Sequence, residues 1–231
     1  MTINILAFDT ATEACSVALQ VGDRFFSRHQ IAPRQHATLL LPMIHDVLRE
    51  AKIALQDLHA IAFGCGPGSF MGVRFATGVA QGLALGLQKP VIPVSTLQTL
   101  AQTACRKKNI ANCLVGWDAR MGGIYWGFYQ ADDTGMMQPT IADQLSLPET
   151  FDMLQLPAVG FALAGNAWTV YKDKLPQVFS SSSEFFVTDC YPDAQAMLLI
   201  AHADYLLGKT MPPENARPHY VRDRVVHYHS E

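Results

Sequence analysis

Hydrophobic and polar positions follow two periods along the chain, and each change of period marks an element. Asn4 to Asp9 is an apolar run closed by an aspartate, Thr10 to Glu13 is a polar turn, and Ala14 to Val21 is a second apolar stretch. These read as two strands, and Gly22-Asp23 turns the chain into a third, Arg24 to Gln30. From Arg34 to Lys52 the residues Leu40, Met43, Ile44, Val47, Leu48 and Ala51 fall three and four apart, which is one face of a helix. Pro42 predicts a kink there or a helix starting near it, since proline lacks the N–H and crowds the preceding turn. Further on, His59 to Gly64 is predicted as a strand, Phe70 to Leu87 as a helix and Pro90 to Val94 as a strand. Ser95-Thr96-Leu97-Gln98 reads as a capping box opening a helix that ends near Lys108.

The second half repeats the opening. Cys113 to Asp118 is a strand ending in aspartate, Ala119 to Gly123 a turn, and Ile124 to Gln130 and Thr140 to Leu145 are strands. A short helix at Pro148 to Leu154, a strand at Ala158 to Ala164 and a helix at Asn166 to Leu175 follow. After the serine loop Ser180 to Ser183 come a strand at Glu184 to Thr188 and a helix from Pro192 to Leu207, closed by Gly208. Leu6-Ala7-Phe8-Asp9 and Val115-Gly116-Trp117-Asp118 match in pattern, so a duplication is the economical explanation. The expected architecture is a duplicated α/β fold with two mixed sheets, flanking helices and a cleft between halves 1–108 and 109–231. The tail from Lys209 to Glu231 has no apolar periodicity and is free to return to the first half.

Composition narrows the class. The chain has 231 residues, 49% hydrophobic and 16% charged, enough to bury a sizeable core. Five cysteines without a Cys-x-x-Cys imply neither a disulfide framework nor a zinc ribbon, which fits a cytoplasmic protein. No stretch reads as a signal peptide or a membrane span. A net charge of −3 argues against a chain that grips nucleic acid alone, and the basic exception is Arg217, Arg222 and Arg224 near the C-terminus.

The stretch with most chemical content is Gly64-Cys65-Gly66-Pro67-Gly68-Ser69-Phe70-Met71-Gly72, between a strand and a helix. Such a turn can cradle a phosphate, or can simply close a strand against a helix that Ser69 caps. It is not a P-loop, because Gly-x-x-x-x-Gly-Lys-Ser/Thr is absent. Nor is Gly68-Ser69-Phe70-Met71-Gly72 a Gly-x-Ser-x-Gly elbow, being one residue too long. No histidine has another four residues on, and His227-x-His229 reads as solvated tail.

A strand-Asp-turn in each half resembles the phosphate turns of the actin, hexokinase and chaperone ATPase superfamily, whose sheets are ribonuclease H-like. By that resemblance Asp9, Thr10, Gly66, Gly68, Ser69 and Asp118 mark the phosphate-facing turns. They are degenerate, since Thr10-Ala11-Thr12-Glu13 lacks the glycine of close approach and Asp118 is followed by Ala119-Arg120. More specifically, Ile5 to Leu19, Gly66 to Arg74, Asp118 to Gly122 and Pro218 to Arg222 together resemble the bacterial TsaB (YeaZ) family, long described as glycoprotease-like.

The resemblance implies a non-catalytic accessory subunit in threonylcarbamoylation of the adenosine beside the anticodon of ANN-decoding tRNAs. Its implied partners are a catalytic TsaD-like paralogue and a TsaE-like ATPase, with tRNA met only through the complex, a homodimer when alone, and ATP or ADP at most at the complex interface. The His-x-x-x-His metal pair of the catalytic relatives falls here on Thr96 and Leu100, and leucine cannot ligate a metal. The implied partner surface is a four-helix bundle contributed by the helices Arg34 to Lys52 and Phe70 to Leu87, through His36, Leu39, Leu40, Leu41, Met43, Ile44, Val47, Phe70, Val73, Arg74 and Thr77. Leu39 and Leu41 lie outside the first helix's main stripe, and the second carries Ala76, Gly78, Ala80, Gly82, Ala84 and Gly86, which permit close helix approach. The competing readings are a nucleotide-dependent small-molecule kinase or ATPase of the same fold and, ranked last, a peptidase.

Overall fold

Two mixed five-stranded sheets with the same strand order build the molecule. The computed structural model describes residues 2–151, 156–157, 159–175, 186–187 and 189–221. The first sheet contains β1 (Asn4–Asp9), β2 (Ala14–Val21), β3 (Arg24–Ile31), β4 (Ala60–Gly66) and β5 (Val91–Ser95), in the order β3-β2-β1-β4-β5. The second contains β6 (Asn112–Asp118), β7 (Ile124–Ala131), β8 (Met137–Ser146), β9 (Ala162–Ala164) and β10 (Phe186–Val187), in the order β10-β9-β6-β7-β8. In each, an antiparallel three-strand meander is extended by two parallel strands. This is the duplicated actin-like α/β fold.

The period of two in the strands decides which helix covers which face. Leu6, Phe8, Val17, Leu19, Ile61 and Phe63 meet α1 (His36–Ala51) and α2 (Phe70–Leu87) on one side of the first sheet. Ile5, Ala7, Ala18, Ala60, Ala62 and Ile92 meet α5 (Ala194–Leu206) on the other. The helix α3 (Thr96–Lys108) lies beside α5 and sets Leu97, Leu100, Ala101 and Ala104 against Cys113, Val115 and Trp117 of the second sheet. The far face of that sheet packs on Phe151, Trp168 and Tyr171, with Trp168 carried by the short helix α4 (Ala167–Val170).

Several expectations need correction. The first helix starts at His36 and runs through Pro42. Proline is tolerated because it sits on the exposed side, while Leu40, Met43, Ile44, Val47 and Leu48 anchor the inner side. Ser95 caps α3 by accepting the Gln98 N–H at 3.1 Å, but Gln98 Nε2 donates to the Met137 carbonyl at 2.8 Å, so only half the capping box forms. Among the described residues the strand expected over Ala158 to Ala164 is confined to β9, and the helix expected over Asn166 to Leu175 splits into α4 and a 3-10 turn, Lys172–Lys174. The helix expected from Pro148 is a 3-10 turn, Pro148–Thr150, among the described residues. Ser180 to Ser183, Arg222, Arg224, His227 and His229 lie outside the described residues.

The tail returns to the first sheet. Val91 and Met211 exchange two backbone hydrogen bonds at 2.9 and 3.0 Å, Gln81 Nε2 donates to the Ala216 carbonyl at 3.0 Å, and His219 N–H donates to the Cys65 carbonyl at 2.7 Å. Among the described residues one helix, α2, is long and apolar enough to cross a bilayer by length and composition, against the expectation that no stretch reads as a membrane span. Its inner face is committed elsewhere: Val73, Ala76, Thr77, Ala80 and Ala84 are buried in the monomer, the alanines in the cluster that covers the sheet.

Candidate functional site

A cleft of about 720 Å³ opens where β1, β4 and β6 end, lined by Glu13, Arg34, Met71, Asp118, Arg120 and Tyr220 among others. The first strand of each half ends in an aspartate; Asp118 lines the cleft, whereas Asp9 is buried. Asp9 Oδ1 accepts the Ala11 N–H at 2.7 Å, and Asp118 Oδ1 accepts the Arg120 N–H at 2.8 Å. The same side-chain-closed turn thus occurs in both halves, so the duplication reaches the level of single hydrogen bonds.

The surroundings of the two carboxylates differ. Asp9 is buried, and its Oδ2 accepts from Thr96 Oγ1 at 3.2 Å. Burial pushes its pKa up to about 6, opposed by the Ala11 and Thr96 hydrogen bonds. Asp118 also accepts from the Tyr171 hydroxyl at 2.7 Å, and its Oδ2 lies 3.2 Å from Arg120 Nη1. Arg120 Nη2 continues to Glu13 Oε1 at 2.9 Å, so one guanidinium joins the turn after β6 to the turn after β1. Arg120 and Met121 both hold left-handed φ, 58° and 52°, a conformation that costs non-glycine residues energy.

The glycine-rich turn lines the cleft through Gly68, Ser69 and Gly72 and packs against the turn after β1. Ser69 N–H donates to the Ala11 carbonyl at 2.7 Å, and Thr10 Oγ1 donates to the Gly72 carbonyl at 2.7 Å. A Cβ on Gly68 would lie 2.5 Å from the Ala11 oxygen, and one on Gly72 would overlap the Thr10 carbonyl. These glycines therefore let two loops touch backbone to backbone, and Ser69 Oγ accepts the Gly72 N–H as a helix cap at 3.5 Å. Close packing of the turn accounts for the glycines at 68 and 72. No histidine hydrogen-bonds Ser69 among the described residues.

Thr96 and Leu100 are both buried, Thr96 bonded to Asp9 and Leu100 packed among the apolar residues under the second sheet. Among the described residues no group of three or more His, Cys, Asp or Glu side chains could hold a metal ion.

The residues expected at a partner surface divide sharply. Leu40, Met43, Ile44, Val47, Val73 and Thr77 are buried in the monomer, the first four in the cluster under the first sheet. Leu39 is half-buried against the same core, and His36 is half-buried, its Nε2 3.2 Å from the Ala14 carbonyl. Leu41 (52% exposed), Phe70 (44%) and Arg74 face outward. The small residues of α2 also split: Ala76, Ala80 and Ala84 point into the core, whereas a Cβ at Gly78, Gly82 or Gly86 would meet nothing within 4 Å. The sequence gives Arg120 and Glu13 only as motif members and Tyr171 not at all, since contacts over 107 and 53 residues leave no local signal.

This combination defines a chain of the duplicated actin-like class with a cleft lined by turns from both halves. A model of the TsaD family, tRNA N6-adenosine threonylcarbamoyltransferase, matches residues 28–229. The chain is 40% identical to the tRNA threonylcarbamoyladenosine biosynthesis protein TsaB of Escherichia coli, over 97% of this chain and 96% of that one. It is 34% identical to TsaB of Haemophilus influenzae, over 97% and 95%. A solved structure of YeaZ from Pseudomonas aeruginosa is similar with a TM-score of 0.88 at 40% identity, covering 94% of this chain and 99% of that one. The protein belongs to the TsaB family.

Proposed function

We propose that this protein is a non-catalytic accessory subunit for threonylcarbamoyladenosine formation on tRNA, which binds and activates a TsaD-like catalytic paralogue. The observation that carries the reading is the contact of Gly68 and Gly72 with the Ala11 and Thr10 carbonyls, which commits the glycine-rich turn to packing against the turn after β1. Thr96 and Leu100 support it, because their dry positions hold no imidazole. Chemistry then falls to the partner, while the outward faces of α1 and α2 provide the contact. Leu41, the partly exposed Phe70 ring and the Gly78-Gly82-Gly86 stripe present apolar and low-relief surface. A TsaE-like ATPase and tRNA join through the paralogue, and in its absence the same face pairs with a second copy.

The test is reconstitution. The purified chain should neither turn over ATP nor modify tRNA alone, and adding the paralogue and its ATPase should produce modified tRNA. ATP turnover by the isolated chain that Asp9→Ala abolishes would instead favour the kinase or ATPase reading.

A further inference from the structure

Each sheet has two outer strands, and three of the four are guarded against pairing with another chain. Beyond β5, the returning tail pairs Met211 with Val91. Strand β8 carries Pro139, and its register with β7 shifts twice. Strand β10 is two residues long among the described residues. Strand β3 has none of these devices. Its eight residues pair with β2 from Arg24 to Ile31 without a register shift, contain no proline, and have no strand beyond them among the described residues. Charged side chains often blunt such an edge, but both arginines of β3 are drawn to the α1 side. Arg28 pairs with Glu50 at 2.6 Å, and the Arg24 guanidinium carbon stands 5.5 Å from the centre of the Phe26 ring.

The other side of β3 is apolar and open. Phe25, Ser27, His29 and Ile31 share it by the period of two, with Phe25 42% and Ile31 55% exposed. Leu199 and Leu206, also exposed, lie on the side of α5 that carries His202, and His202 Nδ1 is 3.1 Å from Oε1 of Gln20, the β2 neighbour of Phe25. Strand and helix therefore line the edge with apolar side chains. The strand is also complementary to itself when run antiparallel. A twofold axis at Ser27 sets Ser27 against Ser27 of the second copy, Phe25 against His29, Phe26 against Arg28 and Arg24 against Gln30, so no like charges stand opposite. The charges that reach His29 from outside β3 are one of each sign, Asp193 and Lys107. We infer that β3 is a second association surface, at which two copies of this chain pair β3 with β3 antiparallel and join their first sheets into one continuous sheet.

The pairing names no residue of α1 or α2, so it is tested in full-length Leu41→Glu, which disables the helical face. Sedimentation of Leu41→Glu should still show a concentration-dependent dimer. Adding Phe25→Lys and Ile31→Lys, both at exposed positions, should weaken that dimer at least about tenfold while the melting temperature stays near that of Leu41→Glu. Cross-linking reads the register independently. With Cys105→Ser to remove the partly exposed thiol, Ser27→Cys should cross-link two copies on mild oxidation, since residues directly opposite hold their Cβ atoms within about 5.5 Å. Phe25→Cys in the same background should cross-link far more slowly. A Leu41→Glu protein that is monomeric at its highest soluble concentration overturns the inference. So does a dimer that survives both lysines and gives no cross-link through position 27. Should the lysines lower the melting temperature, the cross-link decides. The docking reading is judged apart: if Leu41→Glu leaves paralogue binding intact, the α1 and α2 face falls while the β3 pairing stands.

Discussion

Gly64 provides the room that the Asp9 carboxylate occupies, because a Cβ at position 64 would overlap Asp9 Oδ2. The two residues sit on the neighbouring strands β4 and β1, and both are buried. Gly64→Ala should therefore cost about 1–3 kcal/mol or more, as overpacking a filled interior does. Urea unfolding checks this, and an unchanged midpoint would mean that the carboxylate can move aside.

The Asp9 carboxyl also sets a pH dependence. Its pKa is 3.8 in an ordinary setting and about 6 in the fold, so between those values the native state binds the proton and the unfolded chain releases it. Stability from this group falls as pH rises from about 4 to 6, and the loss is complete above about 6. It amounts to no more than about 3 kcal/mol at 1.36 kcal/mol per unit. Asp9→Asn, which keeps an oxygen for the Ala11 N–H, should be more stable than the parent at pH 7.5 and lose that advantage at pH 4. The denaturation midpoints of both proteins at the two pH values decide it.

Gly82 is predicted to behave in the opposite way from Gly64. It lies mid-helix with open space around its missing Cβ, so Gly82→Ala should stabilise the isolated chain by about 0.5–1 kcal/mol. The same methyl should weaken paralogue binding if the stripe receives a helix. Paired melting and titration measurements separate the two effects.

Leu41→Glu should leave the melting temperature nearly unchanged, since position 41 is 52% exposed and surface substitutions usually cost under about 0.5 kcal/mol. Affinity for the paralogue should fall by orders of magnitude, because an interface would bury the carboxylate unpaired. A collapsed melting temperature would contradict the exposure, and unchanged affinity would move the docking surface elsewhere.

All five cysteines are free, and four of them are buried. Burial pushes the Cys15 and Cys65 thiols up to about 12, far from the thiolate form that reacts. Five thiols should titrate under denaturing, non-reducing conditions, whereas in the native protein only the partly exposed Cys105 should react quickly. Two fast native thiols would show that a buried one is reached by local opening.

Legibility in the sequence followed the range of the interaction. The bounds of α2, Phe70 to Leu87, follow from a serine cap and a helical period, both contained within a few residues. The meander strands β1 and β2 were legible for the same reason, as apolar runs punctuated by a polar turn. The role of Gly68 and Gly72 was not, because their reason for being glycine lies some sixty residues away at Thr10 and Ala11. The split between α4 and the 3-10 turn after it coincides with Tyr171, whose hydroxyl reaches Asp118 across the fold. Which α1 and α2 residues are available outside the monomer depended on how each helix is rolled on its sheet, and the stripe of one helix cannot tell a core face from a docking face.

The covering of the first sheet by α5 bears on how the chain comes off the ribosome. Ile5, Ala7, Ala18, Ala60, Ala62 and Ile92 are all made before residue 93, yet the helix that shields them begins at Ala194. For about a hundred residues of synthesis that face has no cover of its own, and the exposed strands are a surface for aberrant pairing. Nascent chains stalled before Ala194 should therefore engage holdase chaperones, and release should coincide with emergence of α5.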